Sequence, residues 1–159
     1  MKKKKRIVIL VLLALCAIGA FILYRPHDKP DGLDADSNAV DWQGNQDLDH
    51  VKTDAKTIEI AGITSPLVFT ANQQHQKVNF VNPSSNDCYI KFTLYADGKQ
   101  IWQSGNVPPD SGYYDIELDE TLPSGEYDAY LLNECYKPDG TPLNNAQVQF
   151  KIISQEENL

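Results

Sequence analysis

From Thr57 onward, apolar and polar residues alternate in short runs separated by turn residues, the period-two signature of half-buried strands. Residues 57–61 read as an opening strand, and Leu67–Thr70 follows Pro66 as a second. Residues 76–81 alternate with Val78 and Phe80 on one face. Cys88, Ile90, Phe92 and Leu94 share a face of the next run, with Tyr89, Lys91, Thr93 and Tyr95 opposite. Asp97 and Gly98 predict a tight hairpin into Lys99–Gln103. Tyr114, Ile116 and Leu118 point one way in the following strand. Tyr127, Ala129, Leu131, Asn133 and Cys135 share a face in the next, and Ala146, Val148, Phe150 and Ile152 in the last.

No helical period interrupts these runs. The pattern predicts an all-β domain over residues 57–154, an immunoglobulin-like β-sandwich of about 7–8 strands whose inner faces bury alternate residues. Tyr127, just after Leu122-Pro123, fits a tyrosine corner at the start of a late strand, with its hydroxyl bonded back to the connecting loop. A polar tail, residues 155–159, follows.

Upstream the pattern is different. Lys2 to Arg6 are all basic, and residues 7–24 form an uninterrupted apolar run. As a helix this run spans roughly 27 Å, close to the ~30 Å hydrocarbon core of a bilayer. It predicts a retained signal-anchor helix over 7–24 with residues 1–6 in the cytoplasm and the rest outside, by the positive-inside rule. A cleaved secretory signal is the competing reading, and it exports the same remainder. Cys16 lies inside the run and reads as a small membrane-buried side chain. Partner expectations therefore begin with the membrane, contacted through residues 7–24.

Residues 25–56 hold eight aspartates, two prolines and two glycines with few apolar residues, which predicts an extended acidic linker. Asp34, Asp36 and Asn38 imitate the start of a calcium loop. The expected glycine is Ala39 and the expected glutamate is Asn45, so solvated linker is the better reading. Trp42 is out of place in such a stretch and is expected to dock on its own domain or on a partner.

Charge narrows the function classes. Five of the 14 basic residues and none of the 22 acidic ones precede residue 25, leaving nine against 22 and a net charge of −13 beyond it. A body that acidic repels phosphate backbones, which excludes nucleic acid as a partner. His27, His50 and His75 have no nucleophile elbow beside them and suggest no zinc spacing. Asp115, Glu117, Asp119 and Glu120 read as a solvated face rather than a glycosidase pair. No catalytic set, cofactor site or metal site is expected.

Cys88 and Cys135 fall on the inward faces of two strands. Outside the cytoplasm they could form a disulfide, or they could be two buried thiols that never meet, since strand order is open at this point. No Cys-x-x-Cys spacing suggests redox catalysis. Trp102, Tyr89, Tyr95 and Tyr113 fall opposite the core-facing set or near turns. With Trp42 they form the candidate interaction surface, for a protein or a sugar ring.

The chain resembles a family of short, largely uncharacterised exported proteins of Gram-positive bacteria. The resemblance is carried by Asn38-Ala-Val-Asp-Trp-Gln-Gly-Asn45, Phe80-Val-Asn-Pro83 and Cys88-Tyr-Ile-Lys-Phe-Thr-Leu94, then by Asp97-Gly98 with Ile101-Trp-Gln-Ser104, Leu122-Pro-Ser-Gly125 before Tyr127, and Pro142-Leu-Asn-Asn-Ala146. Relatives often have Pro-Gly where this chain has Pro109-Asp110-Ser-Gly112. The resemblance implies an anchored, extracytoplasmic sandwich domain and no particular activity. The expected function is non-enzymatic: an accessory module that contacts another cell-envelope protein. The alternative is a carbohydrate-binding module facing cell wall or host glycan.

Overall fold

The computed structural model describes residues 32–43, 57–63 and 65–157. The basic segment 1–6, the apolar stretch 7–24 with Cys16, and linker residues 25–31 and 44–56 lie outside the described residues. Among the described residues no helix is long and apolar enough to cross a membrane.

Those residues form eight strands: β1 (Val40–Asp41), β2 (Leu67–Thr70), β3 (His75–Asn82), β4 (Tyr89–Ala96), β5 (Lys99–Gln103), β6 (Ser111–Glu117), β7 (Gly125–Tyr136) and β8 (Ala146–Gln155). They make an all-β arrangement of two sheets, ordered β1-β6-β3 and β2-β8-β7-β4-β5, consistent with a β-sandwich. Every strand pair is antiparallel except β2 with β8. The alternation of β4 and β7 translates directly into burial: Ile90, Phe92, Leu94, Ala129, Leu131 and Cys135 all face the core. Phe69, Phe80, Leu118 and Ile152 complete its centre. Each such side chain contributes about 1.5–3 kcal/mol by leaving water.

Two bulges overturn expectations of facing. Between Lys77 and Phe80 the β3–β6 register shifts, so a three-residue step in β3 faces a two-residue step in β6. The inward parity of β6 therefore resets: Ile116 and Leu118 are buried as expected, but Tyr113 joins them and Tyr114 turns outward, 37% exposed. A second shift, between Leu94 and Tyr95, lets the consecutive residues Ile101 and Trp102 both enter the core.

The opening strand expected at residues 57–61 does not form: this stretch lies outside either sheet. Ile58 and Ile60 still pack on the core. The backbone at Glu59 is bound by a side chain instead of a strand: its N–H donates to Asn86 Oδ1 and its carbonyl accepts from Asn86 Nδ2, each at 2.8 Å. Asn82, fully buried, supports that amide. It donates to the carbonyls of Cys88 and Val107, both at 2.9 Å, and accepts from Asn86 Nδ2 at 2.8 Å. Buried amides of this kind persist only when their hydrogen bonds are made. Tyr127 donates to the Pro123 carbonyl at 2.9 Å, the hydrogen bond of a tyrosine corner.

The first strand, β1, comes from a part of the chain whose composition reads as linker. Val40 and Asp41 pair with Gly112 and Ser111, and Ala35 bridges to Asn106. Described residues from Gly32 onward belong to one compact unit.

Candidate interaction surface

The open flank between β5 and β6 is closed at one end by residues 32–43. Asp36 is the hinge of this closure. Its carboxylate accepts from the Asn38 N–H at 2.9 Å, from the Gly105 N–H at 2.5 Å and from the Tyr113 hydroxyl. Partial burial pushes this carboxyl up, but the donors, Tyr113 foremost, outweigh it and hold the group below its ordinary value of 3.8. Burial, reinforced by the same hydrogen bond and by the Asp36 charge, pushes the Tyr113 phenol far up, so it stays a donor. Asp36 therefore ties the segment down with the very oxygens that a calcium loop would present to the ion.

The sequence around Asp36 follows from this. Ser37 and Asn38 make a turn, Ala39 donates to the Asp36 carbonyl at 3.2 Å, and the chain then extends into β1. Leu33 donates to Pro138 and Asp36 to Asn106, at 3.0 and 2.8 Å. Trp42 donates through its backbone to the Asp110 carbonyl at 2.9 Å, and its ring lies on Tyr114 with centroids 4.7 Å apart. Asp110 holds φ at 60°, the left-handed region that glycine adopts freely.

Beyond Gly112 the outer edge of β6 has no strand partner among the described residues, because β1 covers only Ser111 and Gly112. The outer edge of β5 is likewise free of a strand, although the Ile101 carbonyl accepts from the Asp119 N–H at 2.9 Å. Between these edges lies a cleft of about 730 Å³, whose lining includes Asp34, Asp36, Asp115, Glu117 and Asp119. Its one basic side chain is His75, at the start of β3 and opposite Glu117. The acidic run that reads as a solvated face thus borders a strand position that no described residue fills. Among the described residues no group of three or more His, Cys, Asp or Glu could hold a metal ion.

The aromatic candidates separate. Trp102 and Tyr113 are each only 7% exposed and belong to the core. Their rings meet edge to face, 4.9 Å between centroids, and Trp102 also packs on Phe80 at 5.9 Å. The two register shifts described above put them there, and neither presents an open ring face. Tyr89 and Tyr95 do lie outward, on the far face of the five-stranded sheet, and both are half-buried. Tyr95 stacks on Tyr130 at 4.5 Å, and Tyr89 stands in register with Tyr136. Trp42 is held at β6, on the other sheet.

Cys88 and Cys135 are brought together. Cys135 lies on β7 and Cys88 immediately precedes its hydrogen-bonded neighbour β4; with Ile90 opposite Cys135 and Tyr89 opposite Tyr136, Cys88 is the diagonal neighbour of Cys135. Both thiols are free and buried, and Cys135 donates to Cys88. His27 and His50 lie outside the described residues.

Sequence reasoning misses Asp36, Tyr114 and Gly105 as parts of one clasp. The available signal was the coincidence of a lone tryptophan with an Asp-x-Asn turn in a polar stretch. Comparison of the chain with protein-family models, with curated proteins and with solved structures finds no match.

Proposed function

We propose that the protein is a non-enzymatic, membrane-anchored interaction module whose immunoglobulin-like domain, outside the cytoplasm, binds another cell-envelope protein. The strand order supports the immunoglobulin-like reading. A five-stranded sheet with one parallel edge pair faces a sheet in which β6 lies beside β3, as strand E lies beside strand B. The place of strand D, on the outer side of β6, is taken by the two-residue β1 from upstream in the chain.

The observation that carries the interaction role is that strand position, which described residues fill only opposite Ser111 and Gly112. A sheet edge offers unpaired N–H and C=O groups to another strand. Here the edge beyond Gly112 opens onto a cleft bordered by five carboxylates. The partner that fits is an extended segment carrying lysine or arginine. Backbone hydrogen bonds at about 0.5–1.5 kcal/mol each would supply the affinity. Exposed ion pairs, at about 0.2–1 kcal/mol, would mainly steer and select.

In-cell crosslinking, gentle solubilisation and capture through a C-terminal tag test this reading. A reproducible exported or membrane protein, lost when Asp115→Lys and Glu117→Lys are combined, supports it. Recovery of the protein alone counts against it.

A glycan-binding role has one specific observation in its favour: the outward tyrosines Tyr89, Tyr95, Tyr130 and Tyr136 on the five-stranded sheet. Tyr95 and Tyr130 are spent on each other, and with Trp102 and Tyr113 in the core this reading is the weaker one. Retention on wall polysaccharide that disappears in Tyr95→Ala would revive it.

A further inference from the structure

We infer that Cys88 and Cys135 are a cross-linking site: they close into a disulfide during folding, and once the domain has packed the pair is sealed from exchange. Three observations carry this. Cys135 lies on β7 and Cys88 immediately precedes β4, the direct neighbour of β7 in the same sheet, which brings the two residues side by side. The two side chains are diagonal neighbours on the core side, close enough for a thiol–thiol hydrogen bond to act on both groups. Each cysteine is 1% exposed.

Sealing follows from burial: Ile58, Ile60 and Leu143 pack against the core that contains both cysteines, and although Cys135 borders a cleft with these residues it is almost wholly buried. The Leu143 N–H donates to the Cys135 carbonyl at 2.7 Å, and Asn82 holds the Cys88 carbonyl. A disulfide donor has to reach sulfur before those segments pack. Protonation adds to the barrier. Burial, together with negative charge on Cys88 and the hydrogen bond between the thiols, pushes the Cys135 thiol up to about 12. Burial and the Asp87 charge push Cys88 up as well. Exchange proceeds through the thiolate, which is then scarce near neutral pH.

The chemistry needs a low-molecular-weight disulfide as oxidant. One cysteine thiolate attacks a sulfur of that disulfide, releasing one thiolate and forming a mixed disulfide. The second cysteine thiolate then attacks the chain's own sulfur in the mixed disulfide. The Cys88–Cys135 bond forms and the second small thiol leaves. The chain loses two electrons and two protons, and the donor gains them. Formation in the cell rests on the exported reading above, because only an oxidising exterior maintains such a bond. The chemistry itself does not depend on that reading.

The test uses the full chain in detergent. Reduced, denatured protein is refolded with oxidised glutathione, alkylated in denaturant without reductant, and mapped by peptide mass so that Cys16 is read separately. A parallel sample is folded first in its reduced form and then exposed to oxidised glutathione. The expected result is a Cys88–Cys135 linked peptide in the first sample and slow or no linkage in the second. Linkage should favour the folded state on the order of a thousandfold, given the 47-position separation of the cysteines, read as a higher urea midpoint without reductant. The paired variant Cys88→Ala/Cys135→Ala should lose that reductant dependence. Full alkylation of both cysteines after oxidative refolding overturns the site, and equal linkage in the two samples overturns the sealing. Neither outcome bears on whether a partner docks at β6.

Discussion

Trp42 lies flat on Tyr114, with ring planes within 8° of parallel, and the Tyr114 hydroxyl accepts the next backbone N–H, that of Gln43, at 2.6 Å. The contact joins a residue of the polar N-terminal stretch to one that the β3–β6 register shift turns outward. An aromatic pair of this kind is worth about 0.5–1.5 kcal/mol beyond its area. Trp42→Ala should therefore increase the rate of proteolytic cleavage within residues 32–43 roughly tenfold while the core unfolds at nearly the same urea concentration. Unchanged cleavage would mean that the segment is held by Asp36 alone.

The Asp36 clasp should respond to acid. Its folded-state carboxyl lies below the ordinary value of 3.8, so its contribution to stability is present above that pH and is lost as pH falls through the lower folded value. Asp36→Asn should remove this part of the acid dependence. A second arm concerns Tyr113. Its phenol is raised above the ordinary value of 10.0, so the stability that it contributes is complete below pH 10 and declines above it. Urea midpoints measured from pH 2.5 to 11 for the native chain and Asp36→Asn check both arms. Identical acid limbs would show that Asp36 is not the titrating group.

Gly112 should not tolerate a side chain. A methyl group there would sit 2.2 Å from the Phe80 carbonyl oxygen and 2.9 Å from the Val81 Cα, both backbone atoms of β3. Gly112→Ala must push β6 away from β3 and should cost about 1–3 kcal/mol, as overpacked sites do. A urea midpoint matching that of the native chain would contradict the close approach.

Asn82 should matter more than its size suggests. Asn82→Ala strips the Cys88 and Val107 carbonyls of a buried donor and leaves Asn86 Nδ2 short of an acceptor. The expected loss is about 1–3 kcal/mol, with faster amide exchange at Glu59, whose N–H is held through Asn86. Normal protection at Glu59 would separate the two amides.

How far the sequence could be read depended on regularity. β7 alternates without interruption and β4 does so except at the buried Thr93, and Ile90, Phe92, Leu131 and Cys135 lie where a period of two puts them. The pattern fails where one residue is gained or lost against a neighbouring strand. Trp102 and Tyr113 then look outward in the sequence and are core in the structure, because a bulge is a property of two strands and leaves no mark in either alone. β1 was invisible for a different reason. Two residues have no period, and what places them is a carboxylate at Asp36 meeting donors far along the chain at Gly105 and Tyr113. The proximity of Cys88 and Cys135 likewise required the strand order.

The proposed interaction role requires that the β6 edge receive a partner. A photoreactive residue placed at Asp115, beside that edge, can be compared in intact cells with one placed at Gln149, on the outer face of the five-stranded sheet. The account predicts a discrete protein adduct from position 115, weakened by Glu117→Lys, and none from position 149. An adduct from position 149 with nothing from position 115 would contradict it.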